Sequence, residues 1–344
     1  MRVIRDLKQV SVRRPLCLAM GVFDGVHLGH QAIISEAVGL AAGTGGLPAV
    51  LTFDRHPMEV LFPDGAPPLL TTTEEKLDLI RGLGIRLAVV ARFDRRLAET
   101  PAEKFVSRAL AQQLRARCLV VGEDWRFGAG RAGTTALLRR MAPQLGFEVR
   151  VVQPVVVRGR RVSSTRIRAL ILRGQVAAAR DCLARHYQVS GRVVAGEGRG
   201  RELGYPTANL EPPAGKLIPR DGVYACWAGP TPGRQRHARA IGVWPAVASI
   251  GVRPTFERRG ARRIEVHLLE ADSSGGHGHA RPTAARRTSL PGREMRVLFV
   301  QWLRGEIRFA SSEALVKQMG RDCTRARRVL ALQAPADVLS SEQQ

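Results

Sequence analysis

The sequence predicts two folded units, a parallel α/β domain followed by an antiparallel β-barrel or sandwich. Three observations carry this. The chain has 344 residues, too many for one core at roughly 150 residues per domain. From Pro15 to about Val157, short apolar runs alternate with longer helix-like stretches. Beyond residue 186, strand-like runs rich in β-branched residues follow one another with few helix patterns between them.

In the first half the runs come in order as LCLAMGVF before HQAIISEAVGLAA, then PAVLTF, TEEKLDLIRGL before IRLAVVARF, AEKFVSRALAQQL before CLVVGED, and TTALLRRMAPQLG before FEVRVVQPVVV. Strands of about five residues joined by helices of ten or more are the pattern of a parallel sheet. After Arg168, ALILRGQVAAARDCLARHY reads as one or two short bridging helices. The second half offers YQVSGRVV, GVYACWAG, RHARAIGVW, RRIEVHLLE and MRVLFVQWL as strands, then the amphipathic helix SSEALVKQMGRDCTRARRVLAL with Ser311 or Ser312 as its N-cap. The Gly/Ser/Arg-rich stretch Ala271 to Ser289 reads as a mobile loop. The expected division is 1–168 and 187–333 for the two domains, 169–186 for a helical connector, and 334–344 for a disordered tail.

Composition excludes several classes. Hydrophobic residues are 44% and charged residues 24%, which fits a folded globular protein and neither a collagen-like nor a wholly disordered one. No apolar run nears the ~20 residues that span a bilayer, and MRVIRDLKQVSVRRP lacks a signal peptide's apolar segment; the expectation is a cytoplasmic protein with no membrane partner. Cys17, Cys118, Cys182, Cys226 and Cys323 are odd in number with no C-x-x-C pair, and are expected to be reduced, mostly buried thiols. The net charge of +24 raises a nucleic-acid partner, but its distribution argues against one: residues 1–185 carry 29 basic and 16 acidic side chains, and residues 186–344 carry 25 and 14. The excess is spread over an arginine-rich surface, which still suits phosphate-bearing ligands.

Two local patterns suggest phosphate chemistry. GVFDGVHLGH, Gly21 to His30, lies between an apolar strand and a helix. Such a turn can aim backbone N–H groups and a helix N-terminus at a phosphate. His27 and His30, three apart, share one side of the first helical turn and can donate hydrogen bonds to phosphate oxygens; a metal-binding or purely structural pair is the alternative. VSSTRIR, Val162 to Arg168, offers the hydroxyls and amides of Ser163, Ser164 and Thr165 at a helix start, with Arg166 and Arg168 as guanidinium forks. In the second half, GEGRGRELGYPTANL, Gly196 to Leu210, leads into Thr207 and Asn209, whose hard oxygens suit a magnesium ion shared with nucleotide phosphates. Glu265 in RRIEVHLLE can take a proton from an alcohol. By themselves PTAN also reads as a turn and Glu265 as a solvated strand face.

GVFDGVHLGH followed about 130 residues later by SSTRIR resembles the HIGH-type nucleotidylyltransferases, and the whole chain resembles the bacterial bifunctional riboflavin kinase/FAD synthetases. LTFDRHPMEVLFP, LLTTTEEKLDLIRGLGI, LVVGEDWRFGAGRAGTTALL, PTAN, GVYA (Gly222 to Ala225) and IGVRPTF (Ile250 to Phe256) belong to the same resemblance, which spans about Leu16 to Arg328. It implies a Rossmann-like parallel α/β nucleotidylyltransferase domain and a six-stranded antiparallel β-barrel riboflavin kinase domain. The implied chemistry is phosphorylation of riboflavin by Mg-ATP in the second, with Glu265 as base and Thr207 and Asn209 at Mg2+, and adenylylation of FMN by ATP in the first, giving FAD and pyrophosphate. His27 and His30 would stabilise the transferring phosphate. Gly21, Ser164, Thr165 and Arg168 would hold ATP phosphates, and Asp24, Asp124 and Trp125 would lie at the FMN or nucleotide site. The implied partners are these small molecules, with a weak homo-oligomer left open.

The chain departs from the family pattern in four places. Arg55 precedes His56 where proline is usual, Trp125 replaces phenylalanine, and Leu298 replaces an acidic residue. The connection after Glu270 is lengthened, ending Leu290-Pro291-Gly292 and carrying His277 and His279. The last two alter one edge of the barrel, so a second reading is an adenylyltransferase with an inert barrel; the net charge and the HIGH-type motif give a third, a basic nucleic-acid-binding protein.

Overall fold

The computed structural model of the chain describes residues 1–12, 14–196, 198–231, 242–252, 262–269 and 292–333. Outside these lie RHARAIGVW as far as residue 241, Arg253 to Phe256, the loop containing His277 and His279, Leu290-Pro291, and the stretch from Ala334 on. The chain divides into two units, Met1–Ile167 with Cys182–Ala184, and Arg168–Asp181 with everything from Arg185 on. This division shares the residues of the expected connector, 169–186, between the two units.

The first unit holds a six-stranded sheet whose neighbouring strands all run parallel, in the order β1-β4-β3-β2-β5-β6. The strands are β1 Arg2–Ile4, β2 Leu16–Met20, β3 Leu47–Phe53, β4 Leu87–Ala91, β5 Ala116–Gly122 and β6 Glu148–Val152. Leu16, Leu18 and Met20 face one apolar cluster with Leu87, Val89, Leu119 and Val121. The alternate residues Ala19, Val50, Ala88, Val90 and Val120 face another. Burial on both faces explains why these strands read as continuous apolar runs. β1 is an addition to the expected set, since three residues are too few for a period-two pattern. FEVRVVQPVVV also divides: Pro154 falls after β6, and Val156–Val157 (β7) turns back on Arg160–Arg161 (β8) as a small antiparallel hairpin.

The helices of this unit include α1 Leu28–Thr44, α2 Pro57–Leu61, α3 Thr73–Gly82 and α4 Thr135–Leu145. AEKFVSRALAQQL is a short turn, Ala102–Lys104, running into a π-helical stretch, Phe105–Gln113. From β2 the chain proceeds to β3 and β4 on one side, while β5 and β6 lie on the other. The carboxyl end of β2 is thus a switch point, where a crevice opens in such sheets.

Two helices follow, α5 Ser164–Leu172 and α6 Val176–Leu183. The second unit is a closed antiparallel barrel in the order β10-β13-β12-β11-β14-β9, which decides between barrel and sandwich. Its strands are β9 Tyr187–Val194, β10 Ala208–Glu211, β11 Gly222–Pro230, β12 Trp244–Val252, β13 Arg262–Leu268 and β14 Glu294–Arg304. β12 begins where the expected strand RHARAIGVW ends. Tyr224, Phe299, Leu210, Ile264 and Val266 are buried in the interior. The last helix, α7 Ser312–Ala331, is capped by Ser311, whose side chain accepts from Ala314 N. It packs on the outside of β11, β12 and β14 over Ala225, Trp227 and Val300. Leu298, where an acid is usual, is buried in this layer. All five cysteines are free and buried.

Candidate active sites

The first site is built on the turn from β2 into α1. Gly25 has φ +85, which a side chain rarely adopts, and a Cβ there would press on Leu70. Phe23 and Val26 also have positive φ, at 54° and 39°, a strained arrangement that persists only if its surroundings hold it. They do so from three directions. Asp24, buried, accepts from Leu70 N at 3.0 Å and Thr71 N at 3.0 Å. Gly25 N donates to Thr71 Oγ1 at 3.0 Å, and Ser164 Oγ donates to Asp24 O at 2.9 Å. The last bond joins the two phosphate motifs that lie 140 residues apart.

His27 is the N-cap of α1, its Nδ1 accepting from His30 N at 3.3 Å. Nδ1 is thus the capping nitrogen, and a hydrogen bond given by this ring would come from Nε2. The two imidazoles stack, centroids 3.7 Å apart and 14° from parallel, and His30 meets Phe23 edge-on at 5.3 Å. The helix N-terminus and both rings therefore share one end of α1.

Among the other expected residues, Gly21 N donates to Leu51 O at 3.2 Å and keeps the turn against β3. Ser163 caps α5, accepting from Arg166 N at 3.2 Å; Thr165 is exposed, and Arg168, four residues after Ser164 on the same helix, is buried. Asp124, exposed, pairs with Arg161 of β8, a partner the sequence reading did not single out. Trp125 stacks on Phe127 at 4.4 Å. His56 caps α2 in a reciprocal capping box with Glu59. Beside the turn, Val22, Asp24, Asp54, Arg55, Thr71 and Lys76 are among the residues that line a pocket.

The second site lies on the barrel's outer face. Asn209 of β10 and Glu265 of β13 are directly opposed, and Glu265 is also opposed by Ser249 of β12. Opposed residues share a face, here the one away from buried Leu210, Ile264 and Val266. PTAN is thus the entry to a strand, which corrects the reading of it as a turn. Thr207 stands two residues before Asn209, immediately ahead of β10. His267, two residues beyond Glu265, has its Nδ1 2.9 Å from Pro206 O and its ring edge-on to Tyr205. Gly196 packs so closely that a Cβ there would overlap the Asn209 amide.

A parallel α/β unit with two stacked histidines at a strand-to-helix turn, followed in the chain by a closed barrel that sets a carboxylate opposite an asparagine, is an architecture suited to a two-domain phosphate-transferring enzyme. The family model described as FAD synthetase matches residues 9–166, and that described as riboflavin kinase matches residues 183–330. The bifunctional riboflavin kinase/FMN adenylyltransferase of Escherichia coli (strain K12) is 35% identical over 344 residues, 98% of this chain and 100% of that protein. The protein of the same name from Pseudomonas fluorescens is 35% identical over 337 residues, 98% and 99% of the two chains. A crystal structure from Streptococcus pneumoniae, described as a macrolide-efflux protein, shares 27% identity and a TM-score of 0.78 over 94% of this chain and 98% of that one. Among the described residues no helix is long and apolar enough to cross a membrane.

The chain belongs to the bifunctional riboflavin kinase/FMN adenylyltransferase family. It phosphorylates riboflavin to FMN and adenylylates FMN to FAD, with the adenylyltransferase domain first in the chain and the kinase domain second. The readings of an inert barrel and of a nucleic-acid-binding protein give way to this one.

Proposed function

We propose the following division of labour among the residues, carried by one observation above the rest: the barrel register that sets Glu265 against Asn209. Glu265 takes the proton of the ribityl 5′-hydroxyl. The freed oxygen bonds to the γ-phosphorus of ATP, the bond from that phosphorus to the β-γ bridging oxygen breaks, and ADP leaves. Thr207 and Asn209 offer neutral oxygens, and Gly196 keeps the space beside Asn209 free of a side chain. This set fits Mg2+, which keeps waters and phosphate oxygens in its shell rather than demanding an all-protein cage. Among the described residues no group of three His, Cys, Asp or Glu converges as such a cage would. Bound there, Mg2+ would neutralise phosphate charge; Thr207 and Asn209 would hold it.

In the first unit, an oxygen of the FMN phosphate attacks the α-phosphorus of ATP, the bond to the α-β bridging oxygen breaks, and pyrophosphate leaves. The Nε2 proton of His27 and the His30 ring donate to the oxygens on which charge builds, beside the positive end of α1. Gly21, Ser164 and Thr165 bind ATP phosphates, while Asp24, Asp124 and Trp125 border the flavin or nucleotide, Asp24 by shaping the turn through Leu70 and Thr71. No covalent enzyme intermediate is needed, since positioning and charge stabilisation suffice. The same reading puts the enzyme in the cytoplasm, with small-molecule partners.

Chromatography of flavins after incubation with riboflavin, ATP and magnesium, beside a reaction started from FMN, tests it. Glu265→Gln should block only the first reaction and His30→Ala only the second. Loss of both activities from either change in a folded protein overturns the assignment.

A further inference from the structure

The turn that presents His27 is gripped by a residue for which the two reactions, as described, have no use. Lys76, on α3, is 6% exposed, and its Nζ donates to Phe53 O at 2.8 Å and to Val22 O at 3.4 Å. Phe53 ends β3, and Val22 lies two residues past the end of β2, where the chain enters the catalytic turn. Thr52 Oγ1 donates to the same Val22 oxygen at 3.0 Å. Leu70 and Thr71 hold Asp24 and Gly25. The stretch 70–76 therefore ties three of the six residues between β2 and His27.

A lysine is a costly way to fill this position. Burial holds its pKa down to about 8, against the favourable fields of Asp24, Asp54, Glu59 and Glu74. A methionine would occupy similar volume without desolvating a charge. What only the ammonium supplies is its grip on two carbonyls, at the edge of a turn whose Phe23 and Val26 need support to keep positive φ.

We propose that Lys76 is a positioning residue for adenylyl transfer, fixing the Val22 and Phe53 carbonyls so that the turn presents His27 and His30 to the transferring phosphate. The proposal rests on the assignment of that reaction to these histidines. The test is steady-state kinetics of FAD formation from FMN by the full chain, comparing Lys76→Met, Lys76→Gln and His30→Ala. Each rate is taken well below that variant's own unfolding midpoint, so loss of fold and loss of position separate. Lys76→Met should lower kcat at least tenfold, with KM for ATP and FMN within twofold and the unfolding midpoint not reduced. Lys76→Gln, which keeps a shorter donor, should fall between it and the parent. Riboflavin phosphorylation, the barrel's reaction, should stay within twofold throughout. FAD formation within twofold of the parent in both lysine variants, or a loss confined to KM, overturns the proposal while inactive His30→Ala leaves the site assignment standing. Active His30→Ala would instead overturn the assignment itself, and the proposal with it.

Discussion

Asn209 and Glu265 face each other as direct Cα partners across the antiparallel ladder of β10 and β13, although 56 positions separate them in the chain. This relationship brings a neutral oxygen donor and a carboxylate to one patch of the barrel's outer face. Replacing Glu265 by Gln keeps the shape and removes the carboxylate proposed as the base. FMN formation should fall by about 10²- to 10⁴-fold, the usual range for a general base, while FAD formation from supplied FMN is unchanged. Flavin chromatography of the two reactions checks this.

His27 caps α1 through Nδ1, and the proposed adenylyl-transfer role uses its Nε2 as a donor. His27→Asn keeps a good cap and loses the donor, so its thermal stability should match the parent while FAD formation drops about 10²-fold or more. His27→Ala should lose both, with about 1 kcal/mol of stability lost as well. Calorimetry and FAD kinetics on the pair distinguish the two jobs.

Gly196 lies against the Asn209 amide. Gly196→Ala should push that side chain aside and raise the kinase KM for Mg-ATP about tenfold, equivalent to about 1.4 kcal/mol. The unfolding midpoint should barely move, because Gly196 is exposed. Titrating Mg-ATP at saturating riboflavin reads the effect.

His186 gives the barrel unit an acid limb. Burial, and secondarily the Arg180 guanidinium, hold its pKa down to about 4, against a smaller opposing contribution from the Phe299 backbone. Above about pH 7 the imidazole is neutral in folded and unfolded chains alike. Between about 6.5 and 4 the unfolded chain binds a proton that the folded one does not, so stability declines as pH falls through that window, by up to about 3 kcal/mol. His186→Leu should flatten this limb in denaturant titrations at pH 7 and pH 4.5.

Asp322 of α7 accepts from Arg304 of β14, Nε at 2.9 Å and Nη2 at 2.6 Å, and from Gln318 at 2.9 Å. Both charges are largely buried, at 17% and 7% exposure for the arginine and aspartate side chains. Asp322→Ala leaves the guanidinium without its carboxylate and should cost about 3 kcal/mol. In a thermal series the kinase activity should fail first, with FAD formation persisting to higher temperature.

Several elements were readable from residue order alone. Fully apolar runs such as LCLAM and LAVVA announce strands buried on both faces, as β2 and β4 are. His27, His30, Ser164, Thr207, Asn209 and Glu265 stand out as candidates because each sits in a motif whose residue types suit phosphate chemistry. A three-residue edge strand such as β1 leaves no periodicity to read. Nor does any sequence pattern indicate that Lys76 of TEEKLDLI turns inward, since on a helix with acidic neighbours a lysine reads as a solvated charge.

Which distant residues meet depends on how the chain packs. The Ser164 hydroxyl reaches Asp24 O because the chain returns to the carboxyl end of β2 after the four remaining strands of the sheet. Asn209 meets Glu265 because barrel closure fixes one register, and a one-residue slip would turn one of them to the interior. The physical reason is the range of the forces involved. Local propensity and hydrophobic period are written in neighbouring residues, whereas register, closure and the partners of a buried charge are set by packing across the whole core.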